Sequence, residues 1–344
     1  MIFKKRFQNK RNVAVLFGGM GAEHEISKLS AEYVISKIDT ESYRVLPILI
    51  NKDGCWYLKR GRKSVPVSPF VKNGIGGILE GRRFTELDAA FPVLHGDFGE
   101  DGRVQGLLEC LNIPFVGCKT LAGAISSDKS YTKCAVCKEN IPTLPWLSTD
   151  GRANNEFLDI CESSLGFPLF IKPAGLGSSV GAGVAHCRRE LSERVRIAAE
   201  LGDGRAVAER YLKNPRELEC AFIDFGGKTV ITPPGEIHTT RGFYDFSGKY
   251  SADSAAFVSP VANIDEKIRE LAMSYAERII KLLGVRGLAR VDFFLSDGEI
   301  YFNEINTMPG MTVTSLYPTM LSEAGIAPEE FINGLIGDAI RGVR

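Results

Sequence analysis

The stretch from Arg290 to Asn306, RVDFFLSDGEIYFNEIN, decides the architecture of the carboxyl-terminal part of this chain. Two apolar runs flank a turn at Asp297-Gly298, which predicts a pair of antiparallel strands. Residues two apart in a strand share a face, so Asp292, Glu304 and Asn306 are expected on one side of the pair. Oxygen ligands of this kind suit Mg²⁺ beside substrate phosphates. Solvated carboxylates are the alternative, but burying unpaired charge in apolar strands is costly, which favours a metal site.

A glycine-rich stretch, Lys172–Gly181 (KPAGLGSSVG), follows a predicted strand at Leu169–Lys172. Glycines let backbone N–H groups close around phosphate oxygens, and the lysine supplies positive charge. It is not a Walker A loop, because the lysine precedes the glycines. Alone, the stretch fits an ordinary turn equally well. Beside a predicted magnesium site, it indicates that a nucleotide phosphate is bound.

Three further side chains are candidates for nucleotide contacts. Lys129 begins a predicted helix and could provide a second positive charge for phosphate, although an isolated surface lysine is more common. Glu209 and Glu217 flank a predicted linker and could accept hydrogen bonds from a ribose. Each of these carboxylates, taken alone, also fits a solvated charge.

The glycine-rich turn at Gly18–Ser27 (GGMGAEHEIS) follows a predicted strand at Val13–Phe17. It lacks the G-x-G-x-x-G spacing, so a dinucleotide site is poorly supported. The turn can still place Glu23 at the carboxyl edge of a sheet, where ligands bind. His95 lies at a similar strand end. Helix capping by Glu23 or Ser27 is the alternative.

The order of predicted elements indicates an α/β fold with an amino-terminal, doubly wound, mostly parallel sheet, followed by α+β units. We expect three domains: residues 1–118 for substrate binding, 119–213 as a central subdomain, and 214–344 as a carboxyl-terminal subdomain. The loop at Thr239–Asp253 is rich in glycine, serine and aromatic residues. A polar loop of that length inside a compact domain is usually functional.

The composition excludes several classes of protein. The 42 basic and 42 acidic residues give zero net charge, so no bulk attraction to nucleic acid or an anionic membrane is expected. No apolar run approaches the ~20 residues that span a bilayer, and no secretory signal is recognised, so a cytoplasmic protein is expected. Eight cysteines are too few for a disulfide scaffold. Cys134 and Cys137 fit ordinary thiols better than a zinc or redox motif.

Seven ordered motifs resemble those of the D-alanine–D-alanine ligase family, within the ATP-grasp superfamily, over nearly the whole chain. The resemblance implies a three-domain ATP-grasp fold with ATP between the second and third units. It also implies ATP-dependent ligation of two D-alanines through a D-alanyl phosphate, for peptidoglycan precursor synthesis. The motifs are Gly18–Ser27, Leu94–Gly106 (LHGDFGEDGRVQG), Asp128-Lys129, Ile171–Gly181, Phe243–Tyr250 (FYDFSGKY), Arg290–Phe293 and Asn303–Leu316 (NEINTMPGMTVTSL).

The same resemblance implies a role for each matching residue. ATP is expected with two Mg²⁺ ions, Mn²⁺ being an alternative metal, and the metal ligands are again Asp292, Glu304 and Asn306. The implied ATP contacts are Lys129, Lys172, Ser179, Glu209, Glu217 and Lys249. The implied substrate residues are Glu23, Ser178, Tyr250 and His95 for the first D-alanine, and Arg290, Gly310, Ser315 and Leu316 for the second. Lys249 and Tyr250 lie on a loop that is implied to close over the site.

Alternatives remain at this stage. They are another ATP-grasp ligase that acts on a different amino or hydroxy acid, such as a D-Ala–D-Ser ligase, a nucleotide-binding module without turnover, and a dehydrogenase, against which the missing dinucleotide motif counts. Val313-Thr314 departs from the family's usual pair of a small polar residue and a histidine, and Ala174 and Leu176 replace frequent polar residues. These departures concern substrate detail rather than reaction class. The resemblance also implies a homodimer.

Overall fold

The computed structural model describes residues 10–151, 153–238 and 257–342. Within these ranges the strands form three sheets of seven, four and six strands. The α/β fold class that the sequence predicts is confirmed. No helix among the described residues is long and apolar enough to cross a membrane.

The amino-terminal sheet is mixed, whereas the sequence predicted a mostly parallel one. Its spatial order is β6-β5-β4-β3-β2-β1-β7, and only β1 pairs in parallel, with β2 and β7. Strands β3 to β6 are joined by two-residue turns, which connect antiparallel strands only. The strands are β1 (Arg11–Gly18), β2 (Tyr43–Ile50), β3 (Trp56–Arg60), β4 (Lys63–Lys72), β5 (Ile75–Glu80), β6 (Arg83–Glu86) and β7 (Ala89–Pro92).

Both faces of the parallel part of this sheet are covered. Helix α1 (His24–Lys37) packs on one face, where Val13 and Val15 share a core with Val34. Helix α2 (Arg103–Cys110) covers the other face. The doubly wound arrangement places the carboxyl ends of β1 and β7 at one edge, where ligands of α/β sheets bind.

The central unit is a four-stranded antiparallel sheet in the order β10-β9-β11-β8, with two helices on one face. The glycine-rich stretch joins β9 to β10, so the loop projects from the end of a hairpin. The elements are β8 (Trp146–Thr149), α5 (Asn155–Ser164), β9 (Leu169–Pro173), β10 (Gly183–Ala185), α6 (Arg188–Leu201) and β11 (Ala206–Arg210).

The carboxyl-terminal sheet has the order β15-β14-β12-β16-β17, with β13 paired to β12. Its core includes residues of two helices, α3 (Thr120–Ser127) and α4 (Lys129–Lys138), which precede the central unit in sequence. The remaining elements are β12 (Arg216–Phe225), β13 (Lys228–Ile231), β14 (Gly235–His238), β15 (Phe257–Ser259), α7 (Glu266–Leu283), β16 (Leu288–Ser296), β17 (Glu299–Asn306), α8 (Leu316–Glu323) and α9 (Pro328–Arg341).

Candidate active site

The predicted antiparallel pair, β16 and β17, is confirmed. Asp292 lies opposite Glu304, and Arg290 lies opposite Asn306, so the side chains of all four project from one face. The Asn306 amide donates from Nδ2 to Asp292 Oδ2 at 3.0 Å. The amide oxygen of Asn306 is therefore oriented for a role other than this hydrogen bond.

Two carboxylates and one amide converge at this point, and their oxygen donors fit Mg²⁺. Among the described residues, no group of three or more His, Cys, Asp and Glu side chains is arranged for a metal ion. A magnesium ion held here would therefore depend on the Asn306 amide and on phosphate oxygens to complete its ligands. This partial set is the usual arrangement for Mg²⁺ that arrives with a nucleotide.

Arg290 is the central cation of the site. Its Nε and Nη2 donate to the two oxygens of Asp292 at 2.7 and 2.6 Å, and Nε lies 3.1 Å from Glu219 Oε2. Burial opposes the charge of Arg290, but the two carboxylates outweigh it and raise its pKa well above the ordinary value. Sequence reasoning missed Glu219, although it lies two residues after Glu217 and therefore on the same strand face.

Lys129 lies at the start of α4, where Asp128 caps the helix by accepting from Ser130 N and Tyr131 N. The Nζ of Lys129 donates to Leu176 O at 2.7 Å and lies 3.4 Å from Glu304 Oε2. The lysine therefore connects the glycine-rich loop to the candidate metal ligands.

The glycine-rich loop has an unusual backbone at two serines. Ser178 and Ser179 have φ values of 54° and 58°, in the left-handed region that glycine favours. Such conformations cost of order 1–3 kcal/mol and cluster at functional sites. Both serines lie in the wall of a cavity of about 90 Å³ that Lys172 and Glu217 also line.

Lys172 is held by a buried carboxylate. Its Nζ lies 2.6 Å from Glu209 Oε1 and donates to Asn303 Oδ1 at 3.1 Å. The second oxygen of Glu209 lies 3.1 Å from Lys133 Nζ. Burial opposes ionisation of Glu209, but the two lysines outweigh it and lower its pKa to about 2. Glu209 thus lies behind Lys172 rather than at an open surface, and Lys133 is a second residue that the sequence analysis missed.

Glu23 joins the amino-terminal domain to the central one. It immediately precedes α1, and its Oε1 accepts a hydrogen bond from the hydroxyl of Ser178. A Cβ added to Gly96 would lie 2.4 Å from Glu23 Oε2, so the carboxylate would have to move, and the φ of 65° at Gly96 also favours glycine. The structure brings Glu23 and Ser178 into contact, and their roles at the first D-alanine stay a prediction.

His95 is buried and neutral beside this carboxylate. Its Nδ1 faces Met308 O at 3.0 Å, and because a carbonyl only accepts, Nδ1 carries the proton. Its Nε2 then accepts from the Ser30 hydroxyl at 2.8 Å. Burial lowers the pKa of His95, although Glu23 opposes that shift.

Glu100 is a third residue that the sequence analysis did not identify as part of the site. Its Oε1 accepts from Gly96 N at 3.0 Å. Burial, reinforced by the charge of Glu23, raises the pKa of Glu100 to about 8. Near neutral pH this raised pKa favours the protonated, uncharged form of the Glu100 carboxyl group.

The segment after β17 supplies the remaining predicted residues. Ser315 Oγ accepts from Thr312 N at 3.0 Å, close to Gly310. Leu316 is 6% exposed and begins α8, whereas Val313 is 83% exposed and points away from the site.

One cavity of about 190 Å³ brings these groups together. This cavity is adjacent to the smaller one that Lys172 lines, because both are lined by Lys129, Glu219, Arg290 and Glu304. Two further predicted residues, Lys249 and Tyr250, lie outside the described residues. The predicted residues that line the larger cavity are Glu23, His95, Lys129, Ser178, Arg290, Glu304, Asn306, Gly310, Ser315 and Leu316.

Comparisons with known proteins agree over almost the whole chain. Family models described as D-ala D-ala ligase N-terminus and C-terminus match residues 12–118 and 137–337. The D-alanine–D-alanine ligase of Ruminiclostridium cellulolyticum is 38% identical, over 95% of each chain. The solved structure of D-alanyl-alanine synthetase A from Vibrio cholerae is 32% identical with a TM-score of 0.87, covering 96% of this chain and 99% of that one. VanG D-Ala:D-Ser ligase from Enterococcus faecalis is 34% identical with a TM-score of 0.86 and the same coverage.

Proposed function

The chain belongs to the D-alanine–D-alanine ligase family, and we propose here how its residues divide the work of the reaction. It is an ATP-grasp enzyme that joins two D-alanines into D-Ala–D-Ala for peptidoglycan precursor synthesis. ATP is converted to ADP and phosphate. We propose residues 1–118, 119–213 and 214–344 as the domains, with α3 and α4 of the second packed against the sheet of the third.

The first step activates a carboxylate, which is a poor electrophile. An oxygen of the first D-alanine attacks the γ-phosphorus of ATP, and ADP leaves. We propose that Lys129, Lys172 and Ser179 contact the phosphates and that Glu217 accepts from the ribose. Glu209, buried between two lysines, holds Lys172 toward the nucleotide.

We propose that Asp292, Glu304 and Asn306 hold two Mg²⁺ ions. The metal, when bound, would spread the negative charge of the transferring phosphoryl group. The convergence of three oxygen donors beside Lys129 supports this assignment.

The first D-alanine is proposed to bind through its ammonium to Glu23. Ser178 donates to that carboxylate and orients it, and neutral His95 lies beside it without adding a competing charge. We also propose that Tyr250 helps to bind the first D-alanine and that Lys249 contacts ATP.

In the second step, the amine of the second D-alanine attacks the acyl carbon and phosphate leaves. The attacking amine must be neutral, although free D-alanine is mostly protonated at pH 7. Arg290 and the backbone N–H of Gly310 are proposed to stabilise the developing oxyanion, and Ser315 to bind the second substrate. A homodimer and a cytoplasmic location, where ATP is available, complete the proposal.

The single observation that carries this assignment is the position of Arg290 at the junction of the two cavities. The test is a coupled assay for ADP release with each D- and L-amino acid in turn. We expect release with D-alanine and none with L-amino acids. Release that does not depend on any amino acid, or that prefers an L-amino acid, would contradict the proposal.

A second candidate function is D-Ala–D-Ser ligation. The likeness to VanG D-Ala:D-Ser ligase favours this function. The residue after Ser315 counts against it, because Leu316 cannot donate a hydrogen bond to the hydroxyl of D-serine. Competition between D-alanine and D-serine for the second site separates the two candidate functions.

A further inference from the structure

Three carboxylates lie in a row across adjacent strands of the carboxyl-terminal sheet. Glu219 on β12 is opposite Asp292 on β16, which in turn is opposite Glu304 on β17. Glu219 and Asp292 are only 4% and 8% exposed. Like charges that face each other across a sheet repel, and they repel more strongly when buried. The row therefore needs cations to be stable.

Arg290 supplies positive charge between the first two members. It makes two hydrogen bonds to Asp292, one to each oxygen, and its Nε lies 3.1 Å from Glu219. The Asp292 carboxylate also accepts from Asn306. Both oxygens of Asp292 are thus already engaged by the site's own side chains.

In this arrangement a bound metal and Arg290 would share the Asp292 carboxylate. Mg²⁺ requires a near-ideal octahedron of oxygens at about 2.0–2.1 Å. An Asp292 oxygen has a second lone pair and can bind the metal while it accepts from Arg290, but the metal's charge repels the guanidinium and weakens that hydrogen bond. A second carboxylate would then help to hold Arg290 in place.

We propose that Glu219 is that second carboxylate: a positioning residue that keeps Arg290 at the reacting carbonyl when Asp292 binds the metal. This inference rests on the proposed function, in which Asp292 is a metal ligand and Arg290 stabilises the oxyanion. Glu219 is suited to the role because it approaches Nε from the neighbouring strand, opposite to β17 and the other proposed metal ligands.

The test compares three variants. Glu219→Gln removes the charge, and Glu219→Asp keeps it but withdraws the carboxylate by about 1.5 Å. Glu236→Gln is the matched control, because Glu236 is a buried carboxylate of the same sheet that binds Arg216 through two hydrogen bonds of 2.7 Å and itself lines neither cavity.

Each variant is assayed for kcat and for KM of ATP and D-alanine, and its Mn²⁺ affinity is measured by calorimetry with a non-hydrolysable ATP analogue. We expect Glu219→Gln to lower kcat about a hundredfold, with KM for ATP within about threefold of wild type. Mn²⁺ affinity should fall about tenfold, because Asp292 is then the main counter-ion of Arg290. Glu219→Asp should recover Mn²⁺ affinity to within about twofold, while kcat stays about tenfold low.

Losses in Glu219→Gln that merely equal those in Glu236→Gln would overturn the inference. Full recovery of kcat in Glu219→Asp would do the same, since charge alone would then suffice. Asp292→Asn separates the inference from its premise. If Asp292→Asn retains full activity, the proposed function is at fault. If it is inactive while Glu219→Gln is normal, only the role of Glu219 fails.

Discussion

The ammonium of Lys133 lies 3.1 Å from a carboxylate oxygen of Glu209, and the two side chains are 1% and 2% exposed. The other oxygen of Glu209 contacts Lys172, so one buried carboxylate joins two cations. Lys133 is on α4 while Glu209 and Lys172 are on the central sheet. The position of Lys172, the proposed phosphate contact, thus depends on how α4 docks against that sheet.

Lys133→Met should weaken ATP binding although Lys133 does not face the nucleotide. Breaking a buried ion pair by removing one partner costs about 3–5 kcal/mol, and Glu209 would draw Lys172 back from the site. We expect KM for ATP to rise about tenfold and the melting temperature to fall, measured by ADP release and thermal unfolding. Lys138→Met, an exposed change on the same helix, is the control. An unchanged KM for ATP in Lys133→Met would show that the pair is structural only.

Glu304→Gln should abolish ligation while leaving the fold intact. The change preserves shape but removes one negative charge from the proposed metal site, and we expect kcat to fall by about a hundredfold or more. Circular dichroism and thermal unfolding report on the fold, and dipeptide formation reports on activity. Glu299→Gln, an exposed change on the same strand, should remain active. Normal dipeptide synthesis by Glu304→Gln would refute the metal assignment.

Glu100 should make the folded state less stable as pH rises. Its pKa is raised from 4.5 to about 8 in the folded protein, so the native state holds a proton that the unfolded chain has lost in that interval. Stability relative to Glu100→Gln should therefore fall between pH about 4.5 and about 8, by up to ~1.4 kcal/mol per pH unit, and level off above.

Urea unfolding of wild type and Glu100→Gln at several pH values measures this difference. Glu109→Gln, an exposed carboxylate on α2, should follow the wild-type pH profile. Parallel profiles for wild type and Glu100→Gln would mean that Glu100 ionises normally in the folded protein.

The elements that the sequence predicted well are those with local causes. The hairpin of β16 and β17 follows from two apolar runs around Asp297-Gly298, and the shared face of Asp292, Glu304 and Asn306 follows from the period of two along a strand. Strand β4, one of the strands between β2 and β7 that were not predicted, contains Pro66 and Pro69. Proline within an apolar run argues against a central strand.

The missed site residues have a different cause. Lys133 is distant in sequence from Glu209 and Lys172, and its contact with Glu209 depends on how α4 docks against the central sheet. Glu219 reaches Arg290 only because β12 pairs with β16 in one particular register. Such pairings are set by tertiary packing, for which a single sequence carries no local signal.

Leu316 should favour D-alanine over D-serine as the second substrate. It follows Ser315 directly, lines the larger cavity and is almost fully buried. Leu316 also packs closely against Gly235, because a Cβ added to that glycine would lie 3.1 Å from Leu316 Cδ1. Relatives that make D-Ala–D-Ser carry a basic residue at this position, as the family resemblance suggests. A leucine cannot donate a hydrogen bond, so D-serine would bury an unpaired hydroxyl at a cost of about 1–3 kcal/mol.

The preference should be limited in size, because a hydrophobic pocket rejects a hydroxylated analogue only about a hundredfold or less. We therefore expect D-Ala–D-Ala as the main product and a small amount of D-Ala–D-Ser when equal concentrations compete, measured by chromatography of the dipeptides. Leu316→Arg should shift the ratio toward D-serine, because its guanidinium can donate to the hydroxyl. Leu316→Met, which conserves volume, should keep the wild-type ratio.

Since Leu316 also packs in the core, the melting temperature of each variant must be measured together with its product ratio. A folded Leu316→Arg with an unchanged ratio would show that position 316 does not contact the second substrate, and a wild-type majority of D-Ala–D-Ser would refute the assignment to D-alanine.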